Sequence, residues 1–267
     1  MVEDGLRQAT AEGSGVSPPA VDPDAVGRFV FVLSERLEGG PGDWHSHRRA
    51  QLIHPGDGVI TVNTAEGLWV VPPARAVWVL PGIRHQISSR RACTITTLHL
   101  DPGTTALPAS CCVVAIDALV AELLTASSRN DASGASTDAD DRLIRVILDR
   151  LPRLPFAPLH LANPADHRLL CITAVLSADP ADGRTLDDLA ALAGLTARTA
   201  ARLFLKETGL TFGEWRQQLR LLAALEMLGA GASVTTVALD VGYHDVSSFI
   251  HVFKAAFGTT PARYFQR

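Results

Sequence analysis

The chain has 267 residues, 47% of them hydrophobic, which is enough for two ordinary domains with cores of their own. No apolar run reaches the ~18–20 residues that a bilayer crossing needs. Residues 1–164 carry 14 Lys and Arg against 18 Asp and Glu, and residues 165–267 carry 10 against 10, so bulk charge gives no support to nucleic-acid binding.

In chain order, residues 1–25 are rich in Gly, Ser, Pro and acids, with no basic start and no apolar block. They read as a disordered leader rather than a secretory signal. Cys93, Cys111, Cys112 and Cys171 show no CxxC pairing, which suits a reduced, cytoplasmic protein with no membrane partner. Within residues 28–107, short β-like runs (RFVFVL, AQLIH, GVITVNT, GLWVVPP, AVWVLP, TITTLHL) alternate with Gly/Pro turns. That texture predicts a small sandwich or barrel.

Residues 108–164 read as a helical linker and dimerisation region. VAIDALVAELLTAS has helical spacing, SRNDASGASTDAD reads as a loop, and DRLIRVILDRL puts Leu143, Ile144, Ile147, Leu148 and Leu151 on one face. The prolines of LPRLPFAPLHLANP suggest a semi-rigid connector. Residues 165–267 read as helix almost throughout. Capping boxes are expected at Thr185…Asp188 and Thr211…Glu214, glycine punctuation at Gly194, Gly209, Gly229/Gly231, Gly242 and Gly258, and a last short helix opening at Pro261.

This helical part repeats itself. Thr185–Phe204 overlays Ser233–Phe253: a polar helix start, a Leu/Val-Ala pair, a Gly turn, a cap and a second helix ending in Phe. That is the layout of two helix-turn-helix units, whose second helices enter DNA major grooves. Periodicity leaves Arg198, Ala201, Arg202 and Lys206 outward in the first copy, and Ser247, Ser248, His251 and Lys254 in the second, with Asp245 as N-cap. Arginine reads guanine, Ser and His suit base edges, and lysine suits phosphate.

The stretch LTARTAARLFLKETGLTFGEWRQQLRLLAALEML, with VGYxxxSSFxxxFKxxFGxxPxxY after it, resembles the DNA-binding domain of the AraC/XylS transcription regulators. The resemblance implies seven helices, double-stranded DNA as partner, RNA polymerase as a further one, and either activation or repression. Ala200 stands where that family usually has leucine, which would thin the first unit's core.

WHSHRRAQLIH raises the question of a sensor. His45, His47 and Gln51 share odd parity, so an unbroken strand aims them to one face; His54 falls on the other and is expected outside. The strand-rich part, His45-x-His47 and the later PGIRH resemble the cupin barrel. That resemblance implies a metal quartet of His45, His47, Gln51 and His85, with Trp44 and Trp78 beside an effector pocket. Gln51 replaces the usual acid. Bound Zn²⁺, Ni²⁺ or Fe²⁺, a metal-free small-molecule site and a structural network all stay open. Arg48, Arg49, His99 and Cys93 read as surface or core residues, and Cys111 and Cys112 as ordinary buried cysteines rather than oxidant sensors.

HRRAQLI with VVPPARAVWVLPGIRH resembles the cupin-bearing NimR-like group of that family, whose members often control a neighbouring transporter gene. The expected fold is thus α+β in two domains: a cupin-like β-barrel, a helical homodimerisation region, and an all-α domain with two helix-turn-helix units. A metal-dependent cupin enzyme (dioxygenase or isomerase) with a DNA-targeting tail is the rival reading. It is disfavoured because Gln51 leaves no evident general base.

Overall fold

The computed structural model describes residues 21–102, 108–128, 137–151, 156–157 and 159–265. Most of the expected leader, residues 1–20, lies outside them, as do 129–136 of the expected loop. Residues 21–25 are packed rather than loose. Asp24 accepts from the Arg48 backbone N–H at 3.0 Å, and the Arg49 guanidinium donates to the carbonyls of Pro23 and Val26, each at 2.7 Å. Arg49 also pairs with Asp101 at 2.8 Å, so it is a buried clamp on this segment rather than a bystander.

The β part is two antiparallel sheets. Strands β1 (Val30–Leu37), β8 (Cys93–Leu100), β3 (Ala50–Pro55), β6 (Arg75–Val79), β9 (Cys112–Ala115) and β10 (Phe156–Ala157) lie in that order in one. Strands β11 (His160–Ala162), β5 (Gly67–Val71), β4 (Ile60–Thr64), β7 (His85–Ser89) and β2 (Gly40–Pro41) form the other. The described strands do not join into one closed barrel; β1 and β10 end the first sheet, β11 and β2 the second. Ile53, Val77, Val79 and Ile95 of one sheet share a core with Ile60, Val62, Val71 and Ile87 of the other, so the sheets pack face to face.

The strand-bearing part does not stop at residue 107. β9 pairs with β6, β10 with β9 and β11 with β5, so the expected proline connector is stitched into both sheets. Among the described residues of region 108–164, the α-helices are α1 (Ala118–Ser127) and α2 (Asp138–Arg150). Asp117 caps the first, and a Thr137–Asp140 box opens the second. They lie on the outer face of the six-stranded sheet, where Val120, Leu124 and Ile147 meet Leu52, Trp78 and Leu98 in a second core.

Among the described residues seven helices follow, as the resemblance implies: α3 (His167–Ala178), α4 (Leu186–Leu192), α5 (Ala197–Thr208), α6 (Phe212–Gly229), α7 (Val234–Asp240), α8 (Val246–Phe257) and α9 (Pro261–Tyr264). Both expected capping boxes form, Asp245 caps α8, and Gly209 and Gly258 end α5 and α8 at φ 74°. Ala200 is fully buried beside Leu203 and Phe204 in the first unit's core.

Helix α6 binds the two halves together. Trp215, Leu222 and Leu225 belong to the same core as Val62, Trp69 and Leu161 of the five-stranded sheet. The Trp215 indole N–H donates to the Ala162 carbonyl at 2.9 Å. Glu226 accepts from Arg90 Nε at 3.1 Å and from the Thr61 hydroxyl. A Cβ on Gly229 would come within 2.1 Å of Val59 Cγ2, so the contact demands glycine. Gly229→Ala is therefore expected to cost about 1–3 kcal/mol through overpacking, read as a lower urea midpoint.

Candidate DNA-reading surface and sensor cavity

The alternation in α5 and α8 sorts the readers. Ala200, Leu203 and Phe204 of α5, and Phe249 and Phe253 of α8, are buried, so the opposite sides face solvent. Arg198, Ala201, Arg202, Lys206, Ser247, Ser248, His251 and Lys254 are all exposed. Among the described residues, none of Arg198, Arg202, Lys206 and Lys254 is in an ion pair. The Ser248 hydroxyl donates to Asp245 Oδ2 at 2.7 Å, so it keeps only acceptor capacity for a base.

His45, His47 and Gln51 line a cavity of about 330 Å³ inside the β part, with the His85 ring buried against the two imidazoles. They do so without the unbroken strand that parity assumed. His45 forms an isolated antiparallel bridge with His85, at 3.0 and 2.8 Å, while Gln51 belongs to β3 in the other sheet. The chain crosses from one sheet to the other over residues 46–49, and the rings converge because of that crossing. One ring nitrogen from each of His45, His47 and His85 falls within 4.8 Å of the others. Ring centroids lie 4.3 Å apart for His45–His85 and 5.2 Å for His47–His85.

Each imidazole is held by a backbone carbonyl two residues away. Nδ1 of His45, His47 and His85 faces the carbonyls of Asp43 (3.0 Å), Arg49 (2.8 Å) and Ile83 (2.9 Å). A carbonyl only accepts, so Nδ1 carries the proton and Nε2 presents a lone pair. His85 Nε2 is buried without a partner. His47 Nε2 lies 3.1 Å from Gln51 Oε1, a second lone pair. That contact is relieved by turning the amide over, or by a cation shared between the two atoms. Burial pushes the His85 pKa down to about 4, so this ring is neutral at pH 7.

Two cavity residues escaped the sequence reading. His99 lines the wall 5.4 Å from His47, opposite Gln51 in the β3–β8 register, with burial pushing its pKa down to about 3. Glu35 lines it too, half-buried on β1, its carboxyl raised by burial and drawn back by His45. Among the described residues it makes no hydrogen bond or ion pair. The odd parity of Leu33, Glu35 and Leu37 was a usable signal, and all three line the cavity. The site therefore does hold an acid, although Gln51 is neutral.

Three other expectations need correction. Trp78 does not line this cavity; it alternates with Val77 and Val79 and packs outward under α1 and α2. Trp44 is exposed beneath the Arg84 guanidinium, 5.6 Å from its ring centroid, and also stays outside the lining. His54 is outside the inner face as parity predicts, yet buried, its Nδ1–H on the Arg75 carbonyl at 2.9 Å.

Residues 189–267 match the family model described as a helix-turn-helix domain. Over 223 residues the chain is 34% identical to the HTH-type transcriptional regulator NimR of Escherichia coli K12, covering 84% of this chain and 82% of that one. This chain belongs to the AraC/XylS family of transcription regulators. The transcriptional activator NphR of Rhodococcus is 29% identical over 93% of this chain and 72% of its own length. ToxT of Vibrio cholerae is similar at 9% identity, over 90% of this chain and 98% of that one, with a TM-score of 0.38. Among the described residues no helix is long and apolar enough to cross a membrane.

The cavity histidines set a pH dependence. Folded His85 and His99 stay neutral where an unfolded imidazole, at about 6.5, takes up a proton. The unfolded state then binds more protons, so stability is level above about pH 6.5 and falls as pH drops towards 4. The urea midpoint of chelator-treated protein should follow that course, and His99→Gln should make the decline shallower.

Proposed function

We propose that this regulator senses a small molecule or a divalent metal in a cupin-like β domain and passes the signal to its DNA readers through α6. The carrying observation is the convergence of three imidazoles whose carbonyl-held Nδ1 atoms leave Nε2 lone pairs facing one another. That donor set suits an electron-pair acceptor. His45, His47 and His85, with the Gln51 oxygen, would hold Zn²⁺, Ni²⁺ or Fe²⁺, which would cross-link the start of β7 to the 45–51 segment. A metal-free organic effector in the same cavity is the alternative ligand.

The route to DNA runs along β7. Its first residue is His85, and Arg90, just past its end, pairs with Glu226 of α6. A ligand that binds the docked and undocked arrangements differently shifts their populations and hence DNA occupancy. Arg198, Ala201, Arg202 and Lys206 on one helix, and Ser247, Ser248, His251 and Lys254 on the other, read successive major grooves. A homodimer forms through α1 and α2, which expose Leu119 and Val146. RNA polymerase is a further partner, and a neighbouring transporter gene the target that kinship suggests. The protein works in the cytoplasm and not as an enzyme. The Glu35 carboxyl in the histidine cavity is what favours the rival reading, a metal-dependent enzyme, and turnover of a small molecule by metal-loaded protein would establish it.

Arg198→Ala and Arg202→Ala should each lose about 1–3 kcal/mol of preference for operator over random DNA, with unchanged thermal unfolding. Sequence-specific binding retained in both would remove these residues as readers. Purified protein should carry about one metal per chain by elemental analysis, in keeping with a single site. Chelation should alter its gel shift on DNA upstream of its own gene. Glu226→Gln should keep the metal but blunt that response.

A further inference from the structure

Between the two helix-turn-helix units lies an open groove of about 520 Å³, lined by Gly183, Arg216, Arg220, Tyr243 and His244 among others. Both arginines come from α6, one turn apart. Arg220 is tied to the backbone by all three of its nitrogens: Nε donates to the Pro180 carbonyl at 2.9 Å, Nη1 to the Gly242 carbonyl at 3.2 Å and Nη2 to the Asp182 carbonyl at 3.4 Å. It staples the loop before α4 to the turn before α8, and a Cβ on Gly242 would lie 2.7 Å from its Nη2.

Arg216 is different. Its guanidinium stacks 4.4 Å from the Phe212 ring centroid and makes one hydrogen bond, Nη2 to the Arg184 carbonyl at 2.5 Å. Among the described residues its buried Nε–H has no partner and neither arginine is in a carboxylate ion pair. The nearby Asp182 carboxylate is taken by Arg184, at 2.9 Å from Nε and 2.5 Å from Nη2. Asp245, beyond His244, is committed to the Ser248 N–H and hydroxyl. Among the described lining residues the groove thus has two guanidiniums and no carboxylate, the nearby Asp182 being held by Arg184, which is the chemistry of a phosphate site.

Its place in the fold says whose phosphate. Gly183 comes two residues before the N-cap of α4, the first helix of the first unit, and His244 immediately before the N-cap of α8. In a helix-turn-helix the first helix crosses the DNA backbone, and the start of the second reaches the bases. A duplex read in two successive major grooves presents the backbone of the intervening stretch to whatever lies between the readers. We propose that this groove takes a DNA backbone phosphate there, with Arg216 as the principal partner and His244 at the rim. Arg216 then sets position and affinity rather than sequence.

The test is the salt dependence of binding to a random-sequence duplex of about three helical turns. Arg216→Ala should flatten the slope of log affinity against log salt by about 0.9, the share of one phosphate, and weaken binding several-fold. Arg216→Lys, which keeps the charge, should hold the slope. Exposed His244→Glu should weaken binding without lowering the thermal midpoint, and it decides the matter if Arg216→Ala does not fold. A folded Arg216→Ala with wild-type slope and affinity overturns the proposal, as does an indifferent His244→Glu. Inorganic phosphate that raises the thermal midpoint of wild type but not of Arg216→Ala, with the DNA slope unchanged, would assign the groove to a free anion and overturn the backbone contact.

Discussion

Helix α6 is buried on more than one side, which an ordinary surface helix is not. Trp215, Leu219, Leu221, Leu222, Ala224, Leu225 and Gly229 are all inaccessible, and they cannot share one helical face. One side fills the cores of the helix-turn-helix units, and another lies on the five-stranded sheet through Val59, Trp69 and Leu161. Each fully buried Leu contributes about 1.5–3 kcal/mol by leaving water, so the docked arrangement is held mainly by apolar burial. The Trp215 indole bond and the Glu226 contacts orient it.

The same helix touches the strand that starts at the imidazoles. β7 opens with His85, whose main chain bridges His45, and Arg90 beyond its far end reaches Glu226. A paired strand is stiff along its length, and β7 runs from the imidazole cluster to the α6 contact without an intervening loop. At the cavity end, stiffness comes from the carbonyls that hold each Nδ1. They fix ring orientation and tautomer together, leaving lone pairs where a free imidazole could have turned away. Arg220 plays the corresponding part between the two DNA-reading units, tying both turns to the helix that separates them.

The helical half was legible almost residue by residue because its rules are local. Capping boxes at Thr185 and Thr211, the Asp245 cap and the glycine stops each act within one turn of backbone. Periodicity then decides which side of α5 or α8 meets solvent. The β half was legible as texture but not as topology. Nothing local in LPRLPFAPLHLANP says that it returns to edge β9 and β5, since strand pairing is a long-range choice. The same ignorance misplaced Trp78: its parity was readable, but which face the second core would cover depended on where α1 and α2 packed.

The amino-acid sequence alone determined that the chain ends in two helix-turn-helix units and which side chains those units expose. Capping, helical period and turn chemistry are settled within a few residues. It also supplied the imidazoles. Only the tertiary structure decided that His45, His47 and Gln51 line one cavity with His85 buried against them, that Glu35 and His99 join the lining, and that the DNA-reading half rests on the five-stranded sheet. Those facts depend on which strands pair and which faces are covered, and such contacts join residues far apart in the chain, beyond the reach of any local pattern.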